Sequence, residues 1–197
     1  MIDWDERYSE AEYAFGTDPN DFLASVIDEV PRGRVLCLCE GEGRNAVYLA
    51  QHGCEVTGVD AAETGLRKAH KLADEKGVSI KTMVSDLDSF VIEPEYWDAI
   101  VSIFCHVPQE MRLNLHQQCA AGLRHGGVFI LEAYTARQIE YGTGGPQTVD
   151  RSMSLLALQS ELAELEILHG VEIDRDVIEG KYHTGCGAVV QLLARKV

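Results

Sequence analysis

Several common chemistries are missing from this 197-residue sequence. Its six cysteines (Cys37, Cys39, Cys54, Cys105, Cys119 and Cys186) form no C-x-x-C pair and its seven histidines no H-x-x-x-H pair, so no metal site and no disulfide framework is visible. Four of the cysteines sit in or beside apolar strand patterns and read as buried, reduced thiols. Positive charge is scarce. Against 32 Asp and Glu stand 17 Lys and Arg, a formal net charge of −15 that repels a phosphate backbone and argues against nucleic acid as the main partner. No apolar run approaches the roughly 18 residues of a membrane span, and the polar start Met1-Ile2-Asp3-Trp4-Asp5-Glu6-Arg7 is no secretion signal. A soluble, cytoplasmic protein without a membrane partner is expected. Repeats, low-complexity tracts and interdomain linkers are also missing, and 46% of the residues are hydrophobic. Together these predict a single domain over residues 1–197, with 1–33 as an N-terminal helical cap. Oligomeric state is not specified.

What is present is an alternation of apolar strands and amphipathic helices. A short polar helix is expected over Trp4 to Tyr13. A second follows, with Asp18 as N-cap, Pro19 at the first helical position, and Phe22, Leu23, Val26, Ile27 and Val30 on one face. Strands are predicted over Arg34–Cys39, Glu55–Val59, Ser79–Val84, Ala99–Phe104 and Gly127–Ala133. Helices are predicted after Gly43, over Thr64–Lys76 and over Pro108–Leu123. This order implies a doubly wound, mostly parallel α/β sheet. Past Tyr134 the pattern changes to a glycine-rich loop (Tyr141 to Pro146), a helix of Met153 to Leu165, and two strands, Glu166–Val177 and Ala188–Lys196, joined by Ile178 to Gly187. Successive strands pair antiparallel, so a terminal hairpin completes a seven-stranded sheet.

The stretch from Val35 to Asp60 reads as a buried strand, a glycine turn, a helix, a second strand and a carboxylate at its end. Gly41 and Gly43 let a ligand approach the backbone, and Asp60 suits the hydroxyls of a ribose, so an adenosine-containing ligand is expected. Gly41-Glu42-Gly43-Arg44-Asn45-Ala46 matches the dinucleotide fingerprint G-x-G-x-x-A. Against a dinucleotide stand the missing Tyr-x-x-x-Lys pair, the lack of room for a substrate domain, and the terminal hairpin. Glu40 and Glu42 would also oppose a pyrophosphate, whereas they suit the sulfonium and amino groups of S-adenosylmethionine.

At these residues the chain resembles, over most of its length, the class I S-adenosylmethionine-dependent methyltransferases, in the branch near the TehB tellurite-resistance and thiopurine methyltransferases. The resemblance rests on Glu40 to Ala50, Asp60, Asp86-Leu87, Trp97 to Val101, Leu123 to Gly127 and the terminal hairpin. It implies a Rossmann-like methyltransferase fold and S-adenosylmethionine as cofactor. Gly41 and Gly43 would back the methionine moiety, with Glu40 and Asn45 in the same turn. Asp60 would hold the ribose, Asp86 and Leu87 the adenine, and Phe104 would lie near the cofactor. The pattern is not kept everywhere: the usual acidic residue of the first motif falls on Cys37 and its first glycine on Cys39, so Glu40 takes over part of the polar role.

Methyl transfer to a small sulfur, selenium, tellurium, oxygen or nitrogen nucleophile is the activity implied; a module that holds the cofactor without catalysis is the alternative. The resemblance makes His183 the catalytic candidate, although Thr184 stands where the family has an arginine, which argues against a tellurium oxyanion as substrate. Four further residues are candidates for the small-molecule substrate. His106 follows the fourth strand and is a crevice residue or a helix-start histidine. Arg44 binds a substrate anion or, the favoured reading, pairs with a nearby acid. Tyr13 and Tyr134, with Phe15, form pocket walls or core. The loop from Tyr141 to Pro146 is long enough to be a lid.

Overall fold

The computed structural model describes residues 3–197; Met1 and Ile2, counted in the expected cap, lie outside them. The strands are β1 (Arg34–Leu38), β2 (Glu55–Asp60), β3 (Lys81–Val84), β4 (Trp97–Ile103), β5 (Leu123–Tyr134), β6 (Glu166–Glu179) and β7 (His183–Arg195). The helices are α1 (Trp4–Arg7), α2 (Asp21–Ser25), α3 (Arg44–Gln51), α4 (Glu63–Glu75), α5 (Gln109–Gly122), α6 (Gln138–Tyr141) and α7 (Leu155–Glu161). One sheet runs in the order β3-β2-β1-β4-β5-β7-β6, parallel except for β7, which is antiparallel to both neighbours.

Both faces of the sheet are covered, which is why the central strands are continuously apolar. Leu36 and Leu38 of β1 join Phe129 and Leu131 of β5 in a layer under α5 and α7, where Leu115, Cys119 and Leu158 close it. The alternate residues Val35, Cys37, Val128 and Ile130 face Val47, Leu49, Ala69 and Leu72 of α3 and α4. The chain leaves β1 toward β2 and β3, then crosses back to β4 and β5. The crevice beyond the carboxyl ends of β1 and β4 is therefore the switch point where ligands bind in open α/β sheets.

Four expectations need correction. The first helix ends at Arg7 rather than Tyr13, because Tyr8 turns inward and is buried. Asn20, not Asp18, caps α2: its side-chain oxygen accepts from Leu23 N at 3.0 Å, and after Val26 the helix tightens into a 3₁₀ turn over Ile27–Glu29. The helix expected from Met153 to Leu165 is only Leu155–Glu161, capped by Ser154, and the short α6 was not expected. The terminal ladder continues to the pair Glu179↔His183, leaving a turn of only Gly180, Lys181 and Tyr182. His183 thus opens β7 instead of hanging in a loop.

Candidate active site

The glycine turn after β1 is shaped by close backbone approaches. Gly41 has φ 61 and its amide donates to Asp60 Oδ2 at 2.8 Å, while Ala62 N donates to Oδ1 at 2.8 Å. Burial raises the Asp60 carboxyl, and these two amides pull the other way. Each oxygen keeps a lone pair for a further donor. A Cβ on Gly41 would lie 2.7 Å from the Tyr8 hydroxyl and one on Gly65 2.8 Å from the Tyr8 ring, so the two glycines form a cradle for that phenol. Gly43, at φ 93, is needed for a different reason: its Cβ would lie 2.6 Å from Ala69 Cα, where α3 and α4 meet. Tyr8 is the residue that sequence reasoning missed. Its signal is the i,i+4 aromatic pair with Trp4, stacked at 5.7 Å.

The acids of the turn do not point where expected. Glu40 Oε1 accepts from Ala46 N at 2.9 Å in the first turn of α3, and burial pushes its carboxyl up to about 7. Glu42 faces the N-terminal segment, accepting from Ala14 N at 2.7 Å and pairing with Lys68 at 2.5 Å. Asn45 accepts from Asn20 N at 3.0 Å, so its side-chain oxygen ties α3 to the cap of α2. Asp86 is exposed and accepts from Asp88 N at 3.0 Å; Leu87 beside it is buried. Cys39 and Phe104, following β1 and β4, take left-handed φ of 50° and 52°. Non-glycine residues are strained there, and such strain gathers at functional sites. Cys39 Sγ lies 2.7 Å from Cys105 Sγ.

Beyond Phe104 the structure brings together residues distant in sequence. The His183 ring lies 4.6 Å from Phe15, 4.8 Å from Phe104 and 5.3 Å from Tyr134, and Phe104 stacks on Tyr134 at 4.6 Å. The glycine-rich loop presses on this group. A Cβ on Gly144 would meet the His183 ring at 3.3 Å, one on Gly145 the Tyr134 ring at 2.6 Å, and Gln138 pins the loop by donating to Thr143 and Gly144 O. His183 Nδ1 is buried without a partner. Burial holds its pKa down to about 3, so the ring is neutral at ordinary pH.

Arg44 is 8% exposed; its Nη2 pairs with Glu179 at 2.5 Å, and its Nη1 is buried without a partner. Glu179 also pairs with Arg175 at 2.9 Å, and Arg175 with the fully buried Glu132 at 2.5 Å. Asn20 donates to both carboxylates. Two other substrate candidates are held by contacts within the fold. His106 uses both ring nitrogens, Nδ1 toward Arg151 O at 2.9 Å and Nε2 accepting from Tyr134 N at 3.3 Å, and serves by stacking on Tyr134. Tyr13 anchors to α4 through Lys68, whose ammonium sits over its ring.

The N-terminal segment straps across this region. Asp5 accepts from Thr64 N at the start of α4, Lys181 N donates to Ala14 O, and the Arg7 guanidinium lies 4.0 Å from the Tyr182 ring centre.

Residues 35–127 match the family profile described as "Methyltransferase domain". The stretch from β1 to the start of β5 is thus similar to a methyltransferase domain. An uncharacterized methyltransferase of Bacillus subtilis is 31% identical over 98 residues, 49% of this chain and 38% of that protein. A 2-heptyl-1-hydroxyquinolin-4(1H)-one methyltransferase of Mycobacteroides abscessus is 26% identical over 140 residues, 70% of this chain and 62% of that protein. The chain thus spans less than two thirds of both curated relatives. Among solved structures, TehB from Haemophilus influenzae superimposes with a TM-score of 0.75 at 21% identity, over 98% of this chain and 67% of its own. The sheet order and the reversed β7 agree with that fold. The glycine turn and Asp60 fall within the matched residues, whereas Phe15, Tyr134 and His183 lie outside them. No helix among the described residues is long and apolar enough to cross a membrane.

Proposed function

We propose that this chain binds S-adenosylmethionine and transfers its methyl group to a small molecule in the cytoplasm, residues 1–33 capping a single methyltransferase domain. The observation that carries the reading is Asp60, held by the Gly41 and Ala62 amides at the carboxyl end of β2 with one lone pair left on each oxygen, as a ribose diol requires. The Gly41–Gly65 cradle seats the Tyr8 phenol against the turn whose Gly41 amide holds Asp60. Asp60 and Asp86, the carboxylates acting on Cys39 at the end of β1, give the crevice negative charge, which favours a sulfonium over a pyrophosphate. Asp86 and Leu87 would take the adenine, with Phe104 at the lip. When bound, the cofactor supplies an activated methyl: an acceptor lone pair forms the new bond while the carbon–sulfur bond breaks, its electron pair remaining on sulfur. His183, ringed by Phe15, Phe104 and Tyr134, is the residue assigned to the acceptor.

The relative from Mycobacteroides abscessus is named for a hydroxyquinolone acceptor, and an aromatic pocket is compatible with such chemistry. The second reading is a module that binds the cofactor without turnover; it is favoured by the low basicity of His183 and by Cys39 in place of a glycine. The test is formation of S-adenosylhomocysteine from the methyl donor with a panel of phenols, thiols and selenite. Turnover of any member supports the enzyme. Tight cofactor binding with no turnover across the panel selects the module.

A further inference from the structure

The geometry points to an acceptor bound as a flat aromatic oxyanion or thiolate, gripped by Arg44 Nη1 and His183 Nδ1–H, and entering the reaction already ionised. The inference rests on the methyl-transfer reading and names the acceptor class that site would take.

Two buried nitrogens without partners, Arg44 Nη1 and His183 Nδ1, occupy one region. Arg44 pairs at 2.5 Å with Glu179, which faces His183 across the β6–β7 ladder, and the Tyr134 ring lies 5.3 Å from that of His183. A buried donor left unpaired is costly, a charged one more so, and a ligand atom that accepts from it removes that cost. Arg44 cannot turn its whole fork to the ligand. Its Nη2 is fixed on Glu179, which Arg175 and Asn20 hold in turn. The free Nη1 is a cationic donor fixed in place by a pair that does not consume it, and the natural partner of such a group is an anionic oxygen or sulfur.

The groups facing His183 are Glu179 on β6, Arg44 on α3, Arg7 on the strap and His106 after β4, which burial keeps neutral. Two permanent cations against one carboxylate favour an anion beside the imidazole and oppose an ammonium. An amine acceptor is thereby disfavoured. The same charges, with burial, make the imidazole a poor proton acceptor, so acceptors that must be deprotonated in the site are disfavoured too. An acid that ionises near or below neutral pH needs no base. Its oxyanion or thiolate meets a cationic methyl donor, two charges become none, and no proton has to be placed.

Flatness follows from the walls. Phe104, Tyr134 and Phe15 present ring faces and edges, and the loop at Gly144 and Gly145 closes within Cβ distance of the His183 and Tyr134 rings. Electron-poor phenols, aromatic thiols and N-hydroxy heteroaromatics combine a planar face with the required acidity.

The probe is 4-nitrophenol, whose anion absorbs apart from its neutral form, titrated against the full chain in the presence of S-adenosylhomocysteine. The bound probe is expected to ionise about one pH unit below the free compound. Arg44→Lys, which can keep an ion pair to Glu179 but has no Nη1, should lose that shift and about tenfold in probe affinity. His183→Phe should weaken the anion comparably, and His183→Gln, which donates a hydrogen bond but takes no proton, should restore most of what His183→Phe loses. Probe bound in its neutral form, Arg44→Lys indistinguishable from the parent, or turnover abolished equally in His183→Gln and His183→Phe would each overturn the inference. Thermal melts establish that the variants fold; if Arg44→Lys does not, the two His183 variants decide. S-adenosylhomocysteine binding without probe binding sinks the acceptor class alone, whereas failure to bind S-adenosylhomocysteine sinks the methyl-transfer reading.

Discussion

Arg175→Met would expose how much of the acceptor site depends on one buried cation. Arg175 is 13% exposed by side chain and bridges Glu132, fully buried on β5, to Glu179 at the end of β6. Its contact with Asp21 adds little, since that carboxylate is 76% exposed. With methionine in its place, Glu132 keeps hydrogen bonds from Asn20 at 2.8 Å and Gln191 at 2.5 Å, and Glu179 keeps Arg44. Removing one member of a buried ion pair costs about 3–5 kcal/mol, and the retained hydrogen bonds argue for the lower end. A loss of about 3 kcal/mol lowers the melting midpoint by roughly 6–12 °C for a chain of this length. Urea denaturation at neutral pH, with a parallel thermal melt, measures both. Adding Glu132→Gln to Arg175→Met should recover part of the loss, because no orphaned charge then remains. A loss below about 1 kcal/mol would refute the reasoning, since the Arg175 bridge would then not be what compensates the buried carboxylates of Glu132 and Glu179.

Two further predictions concern the turn and the loop. Burial lifts the Glu40 carboxyl to about 7 from an ordinary 4.5, so its contribution to stability is fully present below pH about 4.5 and is lost as pH rises through about 7; Glu40→Gln should flatten that decline, and denaturation midpoints at pH 5 and 8 that fall equally in parent and variant would contradict it. Gly145→Ala places a methyl 2.6 Å from the Tyr134 ring at a backbone φ of 85°, so KM for the acceptor should rise severalfold while affinity for S-adenosylhomocysteine stays within about twofold; an unchanged acceptor KM would show that the loop does not close the site.

Much of the fold is legible in the sequence because its strands are buried on both faces and its helices carry one apolar stripe. Val35 to Leu38 and the set Leu66, Ala69, Leu72 and Ala73 need no tertiary information to be read. What is not legible depends on partners far away in the chain. Asp18-Pro19 looks like a better helix start than Asn20, yet Asn20 prevails because its side chain also reaches Glu132 and Glu179, 112 and 159 residues away. The polar, glycine-containing run from Ile178 to Gly187 reads as a connection, but pairing with an already docked β6 draws it into the ladder and sets His183 against Phe104. The acids Glu40 and Glu42 read as negative charge beside the ligand; local spacing cannot tell that they would turn toward Ala46, Ala14 and Lys68.

Calorimetric titration with S-adenosylhomocysteine tests the cofactor assignment most directly. The parent chain should bind with a dissociation constant in the micromolar range, and Asp60→Ala should weaken it by about 1–3 kcal/mol, the cost of losing a hydrogen-bonded carboxylate. Binding of NADH in its place, or an Asp60→Ala variant that is folded and binds S-adenosylhomocysteine as the parent does, would contradict it.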